Sequence, residues 1–264
     1  MKKLRTFLAT LSILSGFLIA LSCSSNDSDP DPKLETCTKT CEDGFILNAD
    51  DCECEKEACT KTCDGNFILN EDTCECEEFI AAVVEVDASD VTLVGDWKKR
   101  TTIDGYTGEG YIVWEGPGQT WKGTVGEVGK LTYKINIEKT GTYLFQWRSY
   151  IAKKAAVDPW AEHNDTWLKF PDADDFFGRK AGSTIDIYPK GSGKSPNPAG
   201  ENGNGFFKIY MNDVDKWSMI SSTSDSDAHQ VYVTFNEAKE YTVEIAARSD
   251  FHAIDSFKLT QQKP

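Results

Sequence analysis

The chain has 264 residues, 39% of them hydrophobic, and a formal net charge of −15. That length accommodates one substantial core and a smaller accessory unit, and with no basic run to meet phosphates the composition excludes nucleic acid as a partner. The acid is unevenly placed, with 17 Asp and Glu against 4 Lys between Cys23 and Glu78.

Residues 1–22 begin with Lys2, Lys3 and Arg5 and continue as an apolar run from Phe7 to Leu21. Because the run is short and interrupted by Ser and Thr, it reads as an export signal and not as a transmembrane helix. Cys23, directly after Ala20-Leu-Ser22, resembles the acylated cysteine of bacterial lipoproteins. The resemblance implies a mature chain anchored by lipid at Cys23 on the outer membrane, facing the cell exterior. Residues 23–36 are too polar to bury anything and read as a flexible acidic tether. Their composition is similar to surface-export signals of lipoproteins in Gram-negative bacteria that degrade polysaccharides.

Residues 37–78 hold an internal duplication. Cys37, Cys41, Cys52 and Cys54 recur 22 positions later as Cys59, Cys63, Cys74 and Cys76, and Phe-Ile-Leu-Asn repeats at 45–48 and 67–70. Units this small cannot be held by apolar burial and need covalent staples. Cys52 and Cys54 are separated by one residue and bridge poorly to each other. Cys37 and Cys41 are therefore expected to bond that pair, in either order, and the second copy to do the same. Zinc is disfavoured, since Cys-x3-Cys with Cys-x-Cys is not a favoured ligand spacing and an exported chain is oxidised. The two 22-residue disulfide repeats resemble fragments of epidermal-growth-factor-like modules and read as a stiff acidic stalk. Their Phe-Ile-Leu runs offer an alternative role in binding protein.

From Phe79 to Pro264 the composition shifts to short strands separated by turn residues, without helical periodicity. Strands are expected at 80–86, 91–97, 111–114, 131–137, 142–149, 166–170, 206–211, 231–235, 241–247 and 253–259. The fourth and fifth are expected to form a hairpin across Glu138-Lys-Thr-Gly141. So many short strands predict an all-β fold, a β-sandwich jelly roll behind the disulfide-rich tandem repeat. The Gly-, Pro- and Ser-rich connection between Phe170 and Phe206 is expected to be a flap beside a binding face.

The run Gly-Tyr-Thr-Gly-Glu-Gly at 105–110, leading into Tyr111-Ile-Val-Trp114, resembles the turn and second strand of carbohydrate-binding modules of families six and thirty-five, which are galactose-binding-like β-sandwiches. Further likeness lies in Gly141-Thr-Tyr143, Trp147-Arg148, Glu162-His-Asn-Asp-Thr-Trp167 and Arg248-Ser-Asp-Phe-His-Ala-Ile-Asp255. The resemblance implies a structural calcium held by Glu85, Asp87 and Asp255 with loop carbonyls. It also implies a glycan site on loops at one edge of the sandwich. An aromatic platform with convergent polar groups suits a sugar. Trp114, Trp121, Trp160 and Trp167 are the candidate platforms. Arg148, Glu162, His163, Asn164, Asp165, Arg248 and His252 are the candidate polar partners. Trp97, Trp147 and Trp217 read as core.

The expected function is capture of polysaccharide at the cell surface without cleavage, in company with an outer-membrane glycan transporter complex. Two alternatives are kept. One is a hydrolase or lyase on the same jelly roll, with acids drawn from Glu115, Glu162, Asp165 and Asp225 and a base from His163 or His229. The other is a protein-binding adhesin.

Overall fold

The computed structural model describes residues 37–153, 155–200 and 203–264. The export signal, Cys23 and the tether lie outside the described residues. The chain divides into two compact units, the first ending at Cys59 and the second running Thr60–Pro264. No helix among the described residues is long and apolar enough to cross a membrane.

Each cysteine repeat is a two-stranded antiparallel hairpin. In the first, β1 (Phe45–Leu47) pairs with β2 (Cys54–Lys56); in the second, β3 (Phe67–Asn70) pairs with β4 (Glu75–Glu78). The bridges Cys37–Cys52, Cys41–Cys54 and Cys63–Cys76 join first to third and second to fourth cysteines, and Cys59 and Cys74 are also disulfide-bonded. This settles the order that spacing left open. The turns are closed by side chains, since Asn48 Oδ1 accepts from the Asp50 N–H at 3.0 Å and Asn70 Oδ1 from that of Asp72 at 2.9 Å, as Asn does in Asx turns. Phe45, Ile46 and Phe67 remain exposed.

The sandwich follows. In chain order it comprises β5 (Val83–Asp87), β6 (Trp97–Arg100), β7 (Tyr111–Trp114), β8 (Leu131–Asn136), β9 (Gly141–Ile151) and β10 (Asp165–Lys169). Then come β11 (Asp175–Arg179), β12 (Asp186–Ile187), β13 (Phe207–Tyr210), β14 (Ser222–Thr223), β15 (His229–Phe235), β16 (Glu240–Ala246) and β17 (His252–Gln261). One sheet runs β6-β7-β17-β9-β15, with β5 also on β17 and β11 also on β15; the other runs β13-β10-β16-β8. Short β14 pairs with both β15 and β13 and curls the two into one continuous ladder.

Period-two alternation puts one face of each sheet inward. In β8 it reads buried at Leu131, Tyr133 and Ile135 and exposed between them. The core therefore takes Phe145, Trp147, Val233 and Phe257 from the first sheet and Leu168, Phe207, Val243 and Ile245 from the second. Its rings meet edge to face, Tyr133 on Phe257 at 5.1 Å and Phe176 on Phe207 at 4.9 Å, the arrangement that aromatic quadrupoles favour.

Three expectations are corrected. Residues 131–149 do not form a hairpin: β8 pairs with β16 and β9 with β15 and β17, because Glu138 to Thr140 carries the chain from one sheet to the other. Residues 91–96 form no strand, turning at Gly95 and Asp96, and the strand begins only at Trp97. The long connection from 170 to 206 contains β11 and β12, with β11 paired along its whole length to β15.

Candidate ligand cleft at the loop edge

Three connections meet at one edge of the sandwich, those after β7, after β9 and after β16. The β16–β17 turn is the hub. Its Phe251 adopts a positive φ of 57° and donates its N–H to Trp114 O at 2.9 Å, while Thr120 N–H donates to Arg248 O at 3.2 Å and Thr120 Oγ1 to Ala247 O at 2.6 Å. A Cβ on Gly118 would lie 2.9 Å from Asp250 Oδ1, so only glycine lets this loop come so close. From the β9–β10 side, buried His163 places Nδ1 2.9 Å from both Asp250 O and Asp250 Oδ1 and Nε2 3.7 Å from Asp158 Oδ2.

The result is an open cleft of about 380 Å³. Gly118 and Gln119 form one wall, Asp158, Pro159, Glu162 and His163 another, and Asp250 stands between them. Trp160, next in the chain to Pro159 and first residue of a short 3₁₀ turn (Trp160–Glu162), is 40% exposed. The cleft therefore offers carboxylate and amide acceptors and donors, and Trp160 follows the lining residue Pro159 without itself lining the cleft. Glu162 and His163 were legible as candidates; Gln119, Asp158 and Asp250 were not singled out, since acids and amides in loops carry no spacing signal.

The other candidates are placed differently. Trp114 is not an exposed platform: it is 3% exposed in β7, edge-on to Trp97 at 5.8 Å, and its Nε1 donates to Pro117 O at 3.0 Å. Trp167 is fully buried in β10. Arg248 is not a rim group either. It is buried, ion-paired with Asp165, and its guanidinium lies 4.4 Å from the Trp121 ring centroid and 5.1 Å from that of Trp167. Half-buried Trp121 thus caps that arginine. Asn164 is buried and donates to Met211 O at 2.9 Å. His252, 1% exposed, meets Thr166 Oγ1 at 2.8 Å and Trp147 edge-on at 5.6 Å, and burial pushes its imidazole down to about 3. Strand alternation could not distinguish a rim from these inward positions.

Arg148 lies away from the cleft, at the Gly105 loop. Its Nη1 donates to Asp255 Oδ2 at 2.6 Å and its Nη2 to Gly105 O at 2.7 Å, while the guanidinium lies 5.0 Å from the Trp217 ring centroid. Asp255 is wholly buried at a register shift in β17 and also accepts from Thr107 N at 2.8 Å and Thr107 Oγ1 at 2.6 Å. The expected calcium set does not fit. Both Asp255 oxygens are engaged, one of them by a guanidinium, while Asp87 Oδ1 accepts from the Ser89 N–H at 2.7 Å and Glu85 is exposed opposite Lys258. Among the described residues no group of three His, Cys, Asp or Glu is gathered to hold a metal ion.

No protein-family model matches the sequence, and no curated protein matches it. Solved structures similar to it include a Podospora anserina GH26-CBM35 β-(1,4)-mannanase, with 18% identity over 69% of this chain and a TM-score of 0.39; the chain spans 28% of that enzyme's length. A family 35 carbohydrate binding module from Clostridium thermocellum is similar at 12% identity over 69% of this chain and 99% of its own, with a TM-score of 0.36. A CBM35 from Paenibacillus barcinonensis is similar at 15% identity over the same shares, with a TM-score of 0.34.

Proposed function

We propose that this chain is a non-catalytic glycan-capture lipoprotein, anchored through Cys23 at the outer membrane of a bacterium and working beside a glycan transporter complex. The observation that carries the glycan reading is the loop-edge cleft. Asp158, Glu162 and Asp250 line it on loops fixed by backbone hydrogen bonds to the sandwich, and the exposed Trp160 is the chain neighbour of the lining residue Pro159. Sugar hydroxyls donate to carboxylates and a pyranose face packs on indole. Three carboxylates repel anions, so the substrate class for this cleft is a neutral glycan.

Catalysis is disfavoured by the partners of the candidate acids and bases. Glu115 is held bidentately by Arg100, Asp165 by Arg248 and Ser249, Asp225 by Lys208, and His229 Nδ1 lies 2.8 Å from Asp227 O. Of the four acids considered, Glu162 lines the cleft. A glycan array on the full chain, with a parallel assay for new reducing ends, tests the reading: binding of neutral glycans without release of reducing ends is expected, and release of reducing ends would replace capture by hydrolysis.

A further inference from the structure

His163 lines the loop-edge cleft, and its two ring nitrogens face partners of the same kind. Nδ1 lies 2.9 Å from Asp250 O and 2.9 Å from Asp250 Oδ1, both of them acceptors. In the neutral ring Nδ1 must therefore carry the proton, which leaves Nε2 a bare acceptor. Nε2 in turn faces Asp158 Oδ2 at 3.7 Å, beyond hydrogen-bond reach. Neither side is free to swing away. Asp158 Oδ2 accepts from the Ala155 N–H at 2.7 Å, and the Asp158 N–H donates to Ala155 O at 3.0 Å. His163 is 6% exposed, donates its backbone N–H to Trp160 O at 3.0 Å, and meets the Phe251 ring edge-on at 6.0 Å.

Two acceptors thus stand opposite each other with no hydrogen between them, an arrangement that costs free energy until a donor arrives. A ligand hydroxyl can supply the hydrogen, and so can a proton taken up by the ring. Both need the same Nε2 lone pair, so each excludes the other. The charged groups lining the cleft with the imidazole are all acidic: Asp158 and Glu162 from the β9–β10 connection and Asp250 from the β16–β17 turn. Arg248, two residues before Asp250, is paired with Asp165. The β7–β8 connection brings uncharged Gly118 and Gln119, and Gln119 Oε1 accepts from Lys122 Nζ.

We propose that His163 is a proton-gated acceptor for the ligand of this cleft. Neutral His163 accepts a glycan hydroxyl at Nε2 while Asp158 accepts another. The imidazolium instead donates to Asp158, which withdraws both acceptors at once. Histidine is the side chain that changes charge between pH 5 and pH 8, so the cleft holds glycan at the upper end of that range and releases it at the lower. By linkage, glycan binding expels a proton where the ring is partly charged. The proposal rests on the glycan reading of the cleft.

Two measurements on the full chain separate the gate from that reading. The first needs no glycan. Nitrogen-15 NMR of the histidine rings at pH 8, with His163 identified by its contact with the Phe251 ring, is expected to show Nδ1 protonated and Nε2 bare. A proton on Nε2 would overturn the proposal and leave the glycan reading standing. The second is calorimetric titration of a neutral oligosaccharide at pH 8 and at pH 5, with tryptophan fluorescence confirming the fold at both. Wild-type affinity is expected to fall about tenfold on acidification, the loss of one hydrogen bond to a charged group. Asp158→Asn places an amide donor against Nε2 at every pH, so it should bind at pH 8 as weakly as the wild type does at pH 5 and change little between them. Asp158 is 30% exposed, so this variant keeps the fold. Wild-type affinity that holds or rises on acidification, or a fall that persists undiminished in Asp158→Asn, would overturn the gate alone. No neutral glycan bound at either pH would remove the glycan reading and the gate with it.

Discussion

Arg148 holds the buried Asp255 carboxylate at 2.6 Å and, through its second amino group, the carbonyl of Gly105 at 2.7 Å. One guanidinium thus neutralises the acid of the last strand and ties the glycine loop to it. The prediction is that neither calcium nor a chelator moves the melting temperature. Arg148→Met, in contrast, leaves Asp255 buried without its counter-charge and should cost about 3 kcal/mol, roughly 10 °C for a domain of this size. A melt that rises with added calcium in the wild-type chain would show that a metal does take this place.

Arg248 was expected on a binding rim, but the structure puts it between Trp121 and Trp167 and against Asp165. Arg248→Ala should therefore destabilise by about 3 kcal/mol or more, as breaking a buried pair does, visible in urea melts. Full stability in that variant would return Arg248 to the surface.

His252 makes folding depend on pH. Burial lowers its imidazole to about 3, against about 6.5 in the unfolded chain, so between these values the unfolded state binds the extra proton and stability falls as pH falls. Its contribution is complete above about pH 6.5 and is lost by up to about 1.4 kcal/mol per pH unit below it. His252→Gln should flatten this slope between pH 6 and 4 in urea melts of wild type and variant; parallel slopes would contradict it.

Reduction should open the hairpins and spare the sandwich. No cysteine lies beyond Cys76, while all 7 Trp lie between Trp97 and Trp217, so tryptophan fluorescence reports the sandwich alone. Its thermal transition should be unchanged by reductant; a large fall would show that the staples support the sandwich core.

The strands were legible where alternation was clean, as in Leu131 to Asn136, and where apolar runs were bounded by glycine, as in Tyr111 to Trp114. Strand β11 was not, because Asp175-Phe-Phe-Gly-Arg179 carries only two apolar residues in a Gly- and Pro-rich stretch, and its strand state comes from pairing with β15. Partner choice was equally hidden, since Thr142 to Ser149 reads the same beside β8 or beside β15. At the cleft, the candidates Glu162 and His163 are among the lining residues. The direction of Trp114, Trp167, Arg248 and His252 depends on which face of each strand meets the core, and Asp250 and Gln119 depend on loop contacts such as Gly118 against Asp250, which leave no periodic trace.

The most direct measurement is calorimetric titration of a neutral oligosaccharide, chosen from the array, into the full chain and its Trp160→Ala variant. Trp160 has little to lose in folding, being 40% exposed, so the variant should melt with the wild type. Loss of one stacking platform should weaken binding about tenfold or more. Equal affinity in the two proteins, or no neutral glycan bound by either, would contradict glycan capture at the loop-edge cleft.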